Sequence, residues 1–151
     1  MNVGDICQRE TITVRQTDEL THAARLMREH HIGYLIVVVN DFADGSQRPV
    51  GVLTDRDIVI GVVARDTDPR TLRVGEVMTE EPVVIDEAES IHTALREMRR
   101  IGVRRLPVVS ARGQLAGVLS LDDVIDTLAG EMQNVAGSLR NERRIEGALR
   151  P

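Results

Sequence analysis

The sequence predicts an α/β fold of the α+β kind, with two βαββα units packed through their sheets as a pseudo-twofold pair, plus a C-terminal helical tail. Three observations support this. The phrase GVLTDRD at residues 51–57 returns as GVLSLDD at residues 117–123, and the similarity extends over most of the chain. Each copy also combines helical apolar spacing with short β-rich runs, and a doubled unit of this size indicates a pair rather than a solenoid.

The repeat is visible when the chain is compared with itself. A shift of 71 positions carries Val3 of VGDIC onto Val74 of VGEVM, and Ala23 of AARLMRE onto Ala94 of ALREMRR. The shift then falls to 66, so the first copy has five extra residues in VNDFADGSQRPV. Turn-forming residues dominate that segment, which predicts a hairpin loop of variable length.

Each copy predicts the same elements in the same order. A first strand at 11–14 or 83–85 precedes an amphipathic helix, a second strand at 34–39 or 106–109, a third strand at 50–53 or 116–119, and a second helix that begins after Thr54 or Ser120. The first helices carry apolar residues at the i, i+3, i+4 and i+7 spacing of a buried face. These residues are Leu20, Ala23, Ala24 and Met27 in copy one, and Ile91, Ala94, Leu95 and Met98 in copy two.

The repeated phrase has two compatible interpretations. Thr54 and Ser120 are good N-cap residues, and Asp57 and Asp123 lie three positions later, which predicts capping boxes. The same groups suit a nucleoside phosphate, because a helix start offers N–H groups to phosphate and a carboxylate accepts from ribose hydroxyls. Local chemistry leaves both interpretations open, since a ligand can also contact a capping residue.

Composition and charge exclude several functions. A net charge of −5 and a total of two aromatic residues disfavour nucleic-acid binding. One cysteine rules out an internal disulfide framework, and neither a signal peptide nor an apolar run of membrane-spanning length is visible. We therefore expect a cytoplasmic protein that binds neither nucleic acid nor membrane.

Catalytic and metal-binding patterns are missing from the sequence. The histidines share no ligand spacing with a cysteine or a carboxylate cluster, so no metal site is predicted; they are His22, His30, His31 and His92. No nucleophile–base pair, phosphate-binding loop or CxxC motif is present. The sequence predicts a protein that is not an enzyme and has no catalytic cofactor.

The doubled pattern of VGEVM, GVRRLPVV and GQLAGVLSLDDVI resembles the CBS (cystathionine β-synthase) domain, and the tandem pair resembles a Bateman module. The resemblance implies repeats at 1–66 and 67–129, followed by a tail at 130–151. It also implies a stand-alone regulatory module that binds an adenosine-containing ligand between the repeats, such as AMP, ADP, ATP, NAD or S-adenosylmethionine. The regulated protein is not implied.

The resemblance also implies two clefts. One centres on Ser120 and Asp123 and the other on Thr54 and Asp57, with the aspartates on ribose. Adenine is expected beside Ile12 or Val83 and beside the run before the second strand, which is Ile32-Gly33-Tyr34 in copy one and Val103-Arg104-Arg105 in copy two. Because copy two is basic there, Arg104 is expected to join Ser120 at the phosphate of a stronger Asp123 cleft. Arg56 is expected to compensate in the Asp57 cleft.

The tail carries an apolar stripe at helical spacing, formed by Leu128, Met132, Val135 and Leu139. Such a stripe needs a surface to cover, and we expect it to contribute to a homodimer. The alternative to a nucleotide sensor is therefore a structural dimerisation or interaction protein whose clefts bind no nucleotide.

Overall fold

Two small sheets form the centre of the fold. The computed structural model describes residues 1–150. The strands are β1 (Thr13–Val14), β2 (Tyr34–Val39), β3 (Arg48–Thr54), β4 (Thr79–Glu80), β5 (Ile85–Asp86), β6 (Arg105–Val109) and β7 (Leu115–Ser120). The first sheet has the order β1-β2-β3-β4 and the second the order β5-β6-β7. In both sheets the first pair of strands is parallel and the remaining pairs are antiparallel.

The α-helices are α1 (Val3–Ile6), α2 (Leu20–His30), α3 (Asp55–Gly61), α4 (Ile91–Ile101) and α5 (Leu121–Leu149). The last four confirm the predicted order, whereas α1 forms within a segment for which no helix was predicted. The equivalent helices α2 and α4 end in the left-handed region, at His31 with φ 53° and Gly102 with φ 70°. The first strands are shorter than predicted, because only two residues of each pair with the neighbouring strand. Val83 therefore precedes its strand instead of lying within it.

Each sheet is buried on both faces. Leu35 and Val37 of β2 belong to the core on the helical side, while Ile36 and Val38 are 2% and 1% exposed on the opposite face. Alternate residues of a strand face opposite sides of the sheet, so both sides are covered. β6 shows the same pattern, with Pro107 buried on its second face. The repeats pack through their sheets, as predicted.

The lead-in segments, VGDIC at residues 3–7 and VGEVM at residues 74–78, are exchanged, because each packs into the core of the other repeat. Val3 is fully buried in the core of the second repeat, and Val74 is fully buried in the core of the first. Their backbone N–H groups donate across the exchange, from Val3 to the carbonyl of Glu89 (2.8 Å) and from Val74 to the carbonyl of Asp18 (2.9 Å). Each hydrophobic core is therefore completed by residues from the other repeat.

α5 differs from its equivalent, α3. The chain turns back after α3 and buries Val62 completely, whereas α5 continues for 29 residues and leaves the equivalent Leu128 52% exposed. The predicted boundary at residue 130 consequently falls inside one continuous helix. Gly130 does not end it, because tertiary contacts anchor the first turns at Leu121 and Val124.

Candidate functional site

The two clefts that contain the predicted residues lie between the repeats, and each is built from both copies. The Asp57 cleft, of about 720 Å³, combines the start of α3 with the segment before β6. The Asp123 cleft, of about 690 Å³, combines the start of α5 with the segment before β2. Both volumes lie in the range of small-ligand pockets.

The two helix starts have the same geometry. The backbone N–H of Asp57 donates to Thr54 Oγ1 (3.1 Å), and Asp57 Oδ2 accepts from the backbone N–H of Thr54 (2.9 Å). The corresponding distances for Asp123 and Ser120 are 3.1 and 3.0 Å. The predicted capping boxes are both present, and each holds its carboxylate at the wall of a cleft.

The second carboxylate oxygen distinguishes the two aspartates. Gln8 Nε2 donates to Asp123 Oδ1 at 3.1 Å. Thr79 occupies the position equivalent to Gln8, and within residues 1–150 no hydrogen bond is made to Asp57 Oδ1. Asp57 Oδ1 can therefore accept two hydrogen bonds from a ligand, whereas Asp123 Oδ1 can accept one in addition to the bond from Gln8.

The clefts also differ in charge. The Asp57 cleft is lined by three acidic residues and three arginines, Arg56, Arg104 and Arg105, and the Arg104 guanidinium lies 3.7 Å from the Asp122 carboxylate. The Asp123 cleft sets four carboxylates against one guanidinium, that of Arg105, and one imidazole, that of His30. Phosphate binds best where guanidinium groups donate charge-assisted hydrogen bonds, which favours the Asp57 cleft.

A stacked pair forms the wall that both clefts share. Tyr34 and Arg105 occupy equivalent positions in the two repeats and line both clefts. The Arg105 guanidinium carbon lies 5.9 Å from the centroid of the Tyr34 ring, within the range of a cation–π interaction. Burial raises the pKa of the Tyr34 phenol well above its ordinary value, so this hydroxyl stays protonated as a hydrogen-bond donor.

Each cleft combines the predicted helix start of one repeat with the predicted segment of the other repeat. Residues from the start of α3 meet the copy-two segment, which joins Thr54, Arg56 and Asp57 with Val83, Val103, Arg104 and Arg105. Residues from the start of α5 meet the copy-one segment, which joins Ser120 and Asp123 with Ile12, Ile32, Gly33 and Tyr34.

The predicted partnership of Arg104 with Ser120 and Asp123 stays a prediction. Arg104 lines the Asp57 cleft. Its guanidinium lies 3.7 Å from the Asp122 carboxylate, and its backbone carbonyl accepts from the N–H of Leu121, so the residue also contacts the start of α5. The basic residue that suggested a stronger Asp123 cleft therefore borders both clefts.

Sequence reasoning missed several lining residues. Gln8 and Thr79 directly follow the exchanged lead-in segments. The one feature of the sequence that could have indicated them is that they occupy equivalent positions in the two repeats. The other missed polar residues are Glu10, Thr11, His30, Asp122 and Asp126 in the Asp123 cleft, and Asp55 and Glu81 in the Asp57 cleft. Asp122 is informative because its equivalent in the first repeat is Arg56, which reverses the charge.

Across residues 1–150, no group of three or more histidine, cysteine, aspartate or glutamate side chains is arranged to hold a metal ion. No helix in this part of the chain is long and apolar enough to cross a membrane.

The fold and the paired clefts are those of a tandem CBS module. Residues 3–64 and 74–130 each match the CBS domain, and the chain belongs to the CBS-domain family. The predicted membership of the chain in the CBS family, as a tandem pair, is confirmed.

Relatives and solved structures agree with this assignment. The chain is 38% identical over 124 residues to Hypoxic response protein 1 of Mycobacterium tuberculosis, covering 82% of this chain and 78% of that protein. It is 32% identical to an uncharacterised protein of Methanopyrus kandleri over 83% of this chain, but spans only 61% of that relative's length.

The solved structure of Hypoxic Response Protein I, which has two coordinated zinc ions, matches with a TM-score of 0.72 and 36% identity over 83% of this chain and 98% of that chain. A CBS domain protein from Pyrobaculum aerophilum, solved in complex with AMP, matches with a TM-score of 0.72 and 25% identity over 82% of this chain and 89% of that chain.

Proposed function

We propose that this chain is a regulatory module that binds an adenosine nucleotide in the Asp57 cleft and transmits its occupancy to a separate protein. The observation that carries the proposal is the capping box at Thr54 and Asp57, which lies in a cleft built by both repeats and lined by Arg56, Arg104 and Arg105. The AMP complex of the CBS protein from P. aerophilum supports the same class of ligand.

The polar end of the cleft suits a ribose phosphate. Asp57 Oδ1 accepts from a ribose hydroxyl while Oδ2 stays in the capping box. The N-terminus of α3 and the side chain of Arg56 then face the phosphate, together with Arg104 and Arg105. These guanidinium groups donate charge-assisted hydrogen bonds, which are stronger than neutral ones.

The apolar lining of the same cleft suits adenine. It includes Val52, Val83, Val103, Leu106 and Pro107. Val103 is 38% exposed, so a flat base gains apolar contact by covering it. Binding pockets commonly pair such an apolar wall with a few fixed polar groups.

Calorimetry with AMP tests the proposal. Asp57→Asn keeps an oxygen for the capping box but loses charge-assisted acceptance, which contributes about 1.5–3 kcal/mol. The affinity for AMP should fall about tenfold or more, at 1.4 kcal/mol per decade. The matched control Asp123→Asn changes the equivalent residue of the other cleft and should leave that affinity within about twofold, because Asp123 does not line the Asp57 cleft. An unchanged affinity in Asp57→Asn contradicts this assignment.

A structural role without a ligand is the second candidate. Both capping boxes are complete within the protein, and α5 exposes an apolar stripe. A ligand that binds only the folded state must raise the melting temperature. A panel of AMP, ADP, ATP, NAD and S-adenosylmethionine therefore separates the two functions, because a structural module melts at the same temperature with every compound.

We also propose that the module is a homodimer paired through the stripe on α5. Ile125, Leu128, Met132, Val135 and Leu139 are each between 52% and 68% exposed. Their alternating spacing of three and four residues is the pattern with which helices pair in coiled coils. A second copy of the same helix is a partner of matching spacing.

A further inference from the structure

We propose, building on the nucleotide function above, that the two clefts select different 5′ groups. The Asp57 cleft takes phosphorylated adenosine, and the Asp123 cleft takes adenosine with an uncharged or cationic 5′ group. One chain then binds one phosphorylated nucleotide, although it has two similar clefts.

The charge difference arises at equivalent positions of the repeats. Arg56 in the first turn of α3 corresponds to Asp122 in the first turn of α5. Arg104, on the wall of the Asp57 cleft, corresponds to Gly33 on the wall of the Asp123 cleft. The Asp57 cleft therefore has an arginine at both places, and the Asp123 cleft has an aspartate and a glycine, with the Arg104 guanidinium 3.7 Å from that aspartate, Asp122.

Further carboxylates reinforce the difference. Glu10 and Asp126 join Asp122 and Asp123 around the Asp123 cleft. Like charges brought together within a cleft repel, so a phosphate placed there meets four carboxylates. A cationic group such as a sulfonium is attracted by the same carboxylates, and an uncharged nucleoside avoids the repulsion.

Arg105 couples the two clefts. It is the one arginine that lines both of them. Its side chain lies over the Tyr34 ring, on the wall that the two clefts share. When a phosphate in the Asp57 cleft attracts Arg105, the Asp123 cleft loses a countercharge. Occupancy of the first cleft by a phosphate therefore strengthens the preference of the second for an unphosphorylated ligand.

The Asp123 cleft keeps the features that an adenosine needs. Ile12, Ile32, Ile36 and Val118 supply an apolar wall. Each carboxylate oxygen accepts two hydrogen bonds, so the bond from Gln8 leaves Asp123 able to accept from a ribose hydroxyl. The selection consequently acts on the 5′ group and not on the nucleoside.

Titration calorimetry of the full chain with AMP, and then with S-adenosylmethionine in the presence of saturating AMP, tests this inference. We expect one AMP per chain and one S-adenosylmethionine bound beside it. The variant Asp122→Arg restores the charge found at Arg56 and should create a second AMP site. Asp122 is 66% exposed in its side chain, so this variant retains the fold. Glu142→Arg makes the same change of charge on the exposed part of α5, outside both clefts, and should leave the stoichiometry at one.

The outcomes separate this inference from the proposed function. Two AMP molecules per chain in the parent, or one in Asp122→Arg, overturns the selection while the nucleotide function stands. Competition between AMP and S-adenosylmethionine for a single site also overturns it. If the parent binds none of these compounds, the proposed function fails together with the inference.

Discussion

At the scale of single residues, the glycine of the repeated phrase allows the exchanged segments to cross the sheets. A Cβ atom on Gly117 would lie 2.5 Å from the carbonyl oxygen of Gln8, where that segment runs against β7. A Cβ atom on the equivalent Gly51 would lie 2.6 Å from Met78 Sδ and 2.9 Å from the carbonyl oxygen of Thr79. The same residue recurs because the same close approach recurs in both repeats.

This contact predicts an asymmetric effect on stability. Gly117→Ala must displace backbone and should lower the free energy of unfolding by about 1–3 kcal/mol, as overpacking does. Gly51→Ala should cost less, because part of its contact is a flexible methionine side chain. Denaturation in urea measures both. Gly130→Ala is the control, since open space surrounds that position on α5 and alanine favours a helix. Equal stability of Gly117→Ala and the parent would contradict the crossing.

The residues of the helix starts could be predicted from the sequence, whereas their partners could not. Thr54, Asp57, Ser120 and Asp123 form capping boxes because the signal is local, with a hydroxyl residue and an acid three positions apart. The position of Arg104 depends on how the two repeats pack against each other, and this packing cannot be predicted from a local sequence pattern. The crossed packing therefore brings Arg104 to the lining of the Asp57 cleft, which the sequence did not predict.

At the scale of elements, long periodic segments were predictable and short polar ones were not. α2 and α4 begin where the apolar stripes predict, at Leu20 and Ile91. β4 was missed, because Thr79–Glu80 is a polar pair that becomes a strand only by pairing with Gly51 and Val52 of the other repeat. The tail was predicted as a helix, but it joins the preceding helix into one α5 only because Gly130 is tolerated within a helix.

The stripe on α5 leads to a prediction about assembly. Replacing Met132 and Val135 with glutamate places two charges on the stripe and should convert the proposed dimer into a monomer, because a buried unpaired charge is costly. Sedimentation equilibrium at micromolar concentration measures the mass. Gln133→Glu with Asn134→Glu is the matched control, since these neighbours are also exposed but lie off the stripe. A dimer that persists with both stripe residues replaced would exclude this helix from the interface.

At the scale of the whole molecule, the exchanged lead-in segments make the two repeats interdependent. Residues 1–70 supply Val3, Ile6 and Cys7 to the second core, while residues 71–151 supply Leu72 and Val74 to the first. Neither half contains a complete core, and chains of this size bury too little surface to tolerate the loss.

We therefore expect that residues 1–70 and residues 71–151, expressed separately, show no cooperative thermal transition. Mixing or co-expressing the halves should restore one, because each supplies the lead-in segment that the other lacks. Circular dichroism during heating measures the transition, and the linked chain is the control. In the full chain, Val3→Ala and Val74→Ala each remove methyl groups from a fully buried side chain. Each should lower the midpoint temperature of one transition that both repeats share. Two separable transitions, or a half that melts cooperatively as a monomer, would show that the repeats fold as independent domains and that the exchange is a contact formed after folding.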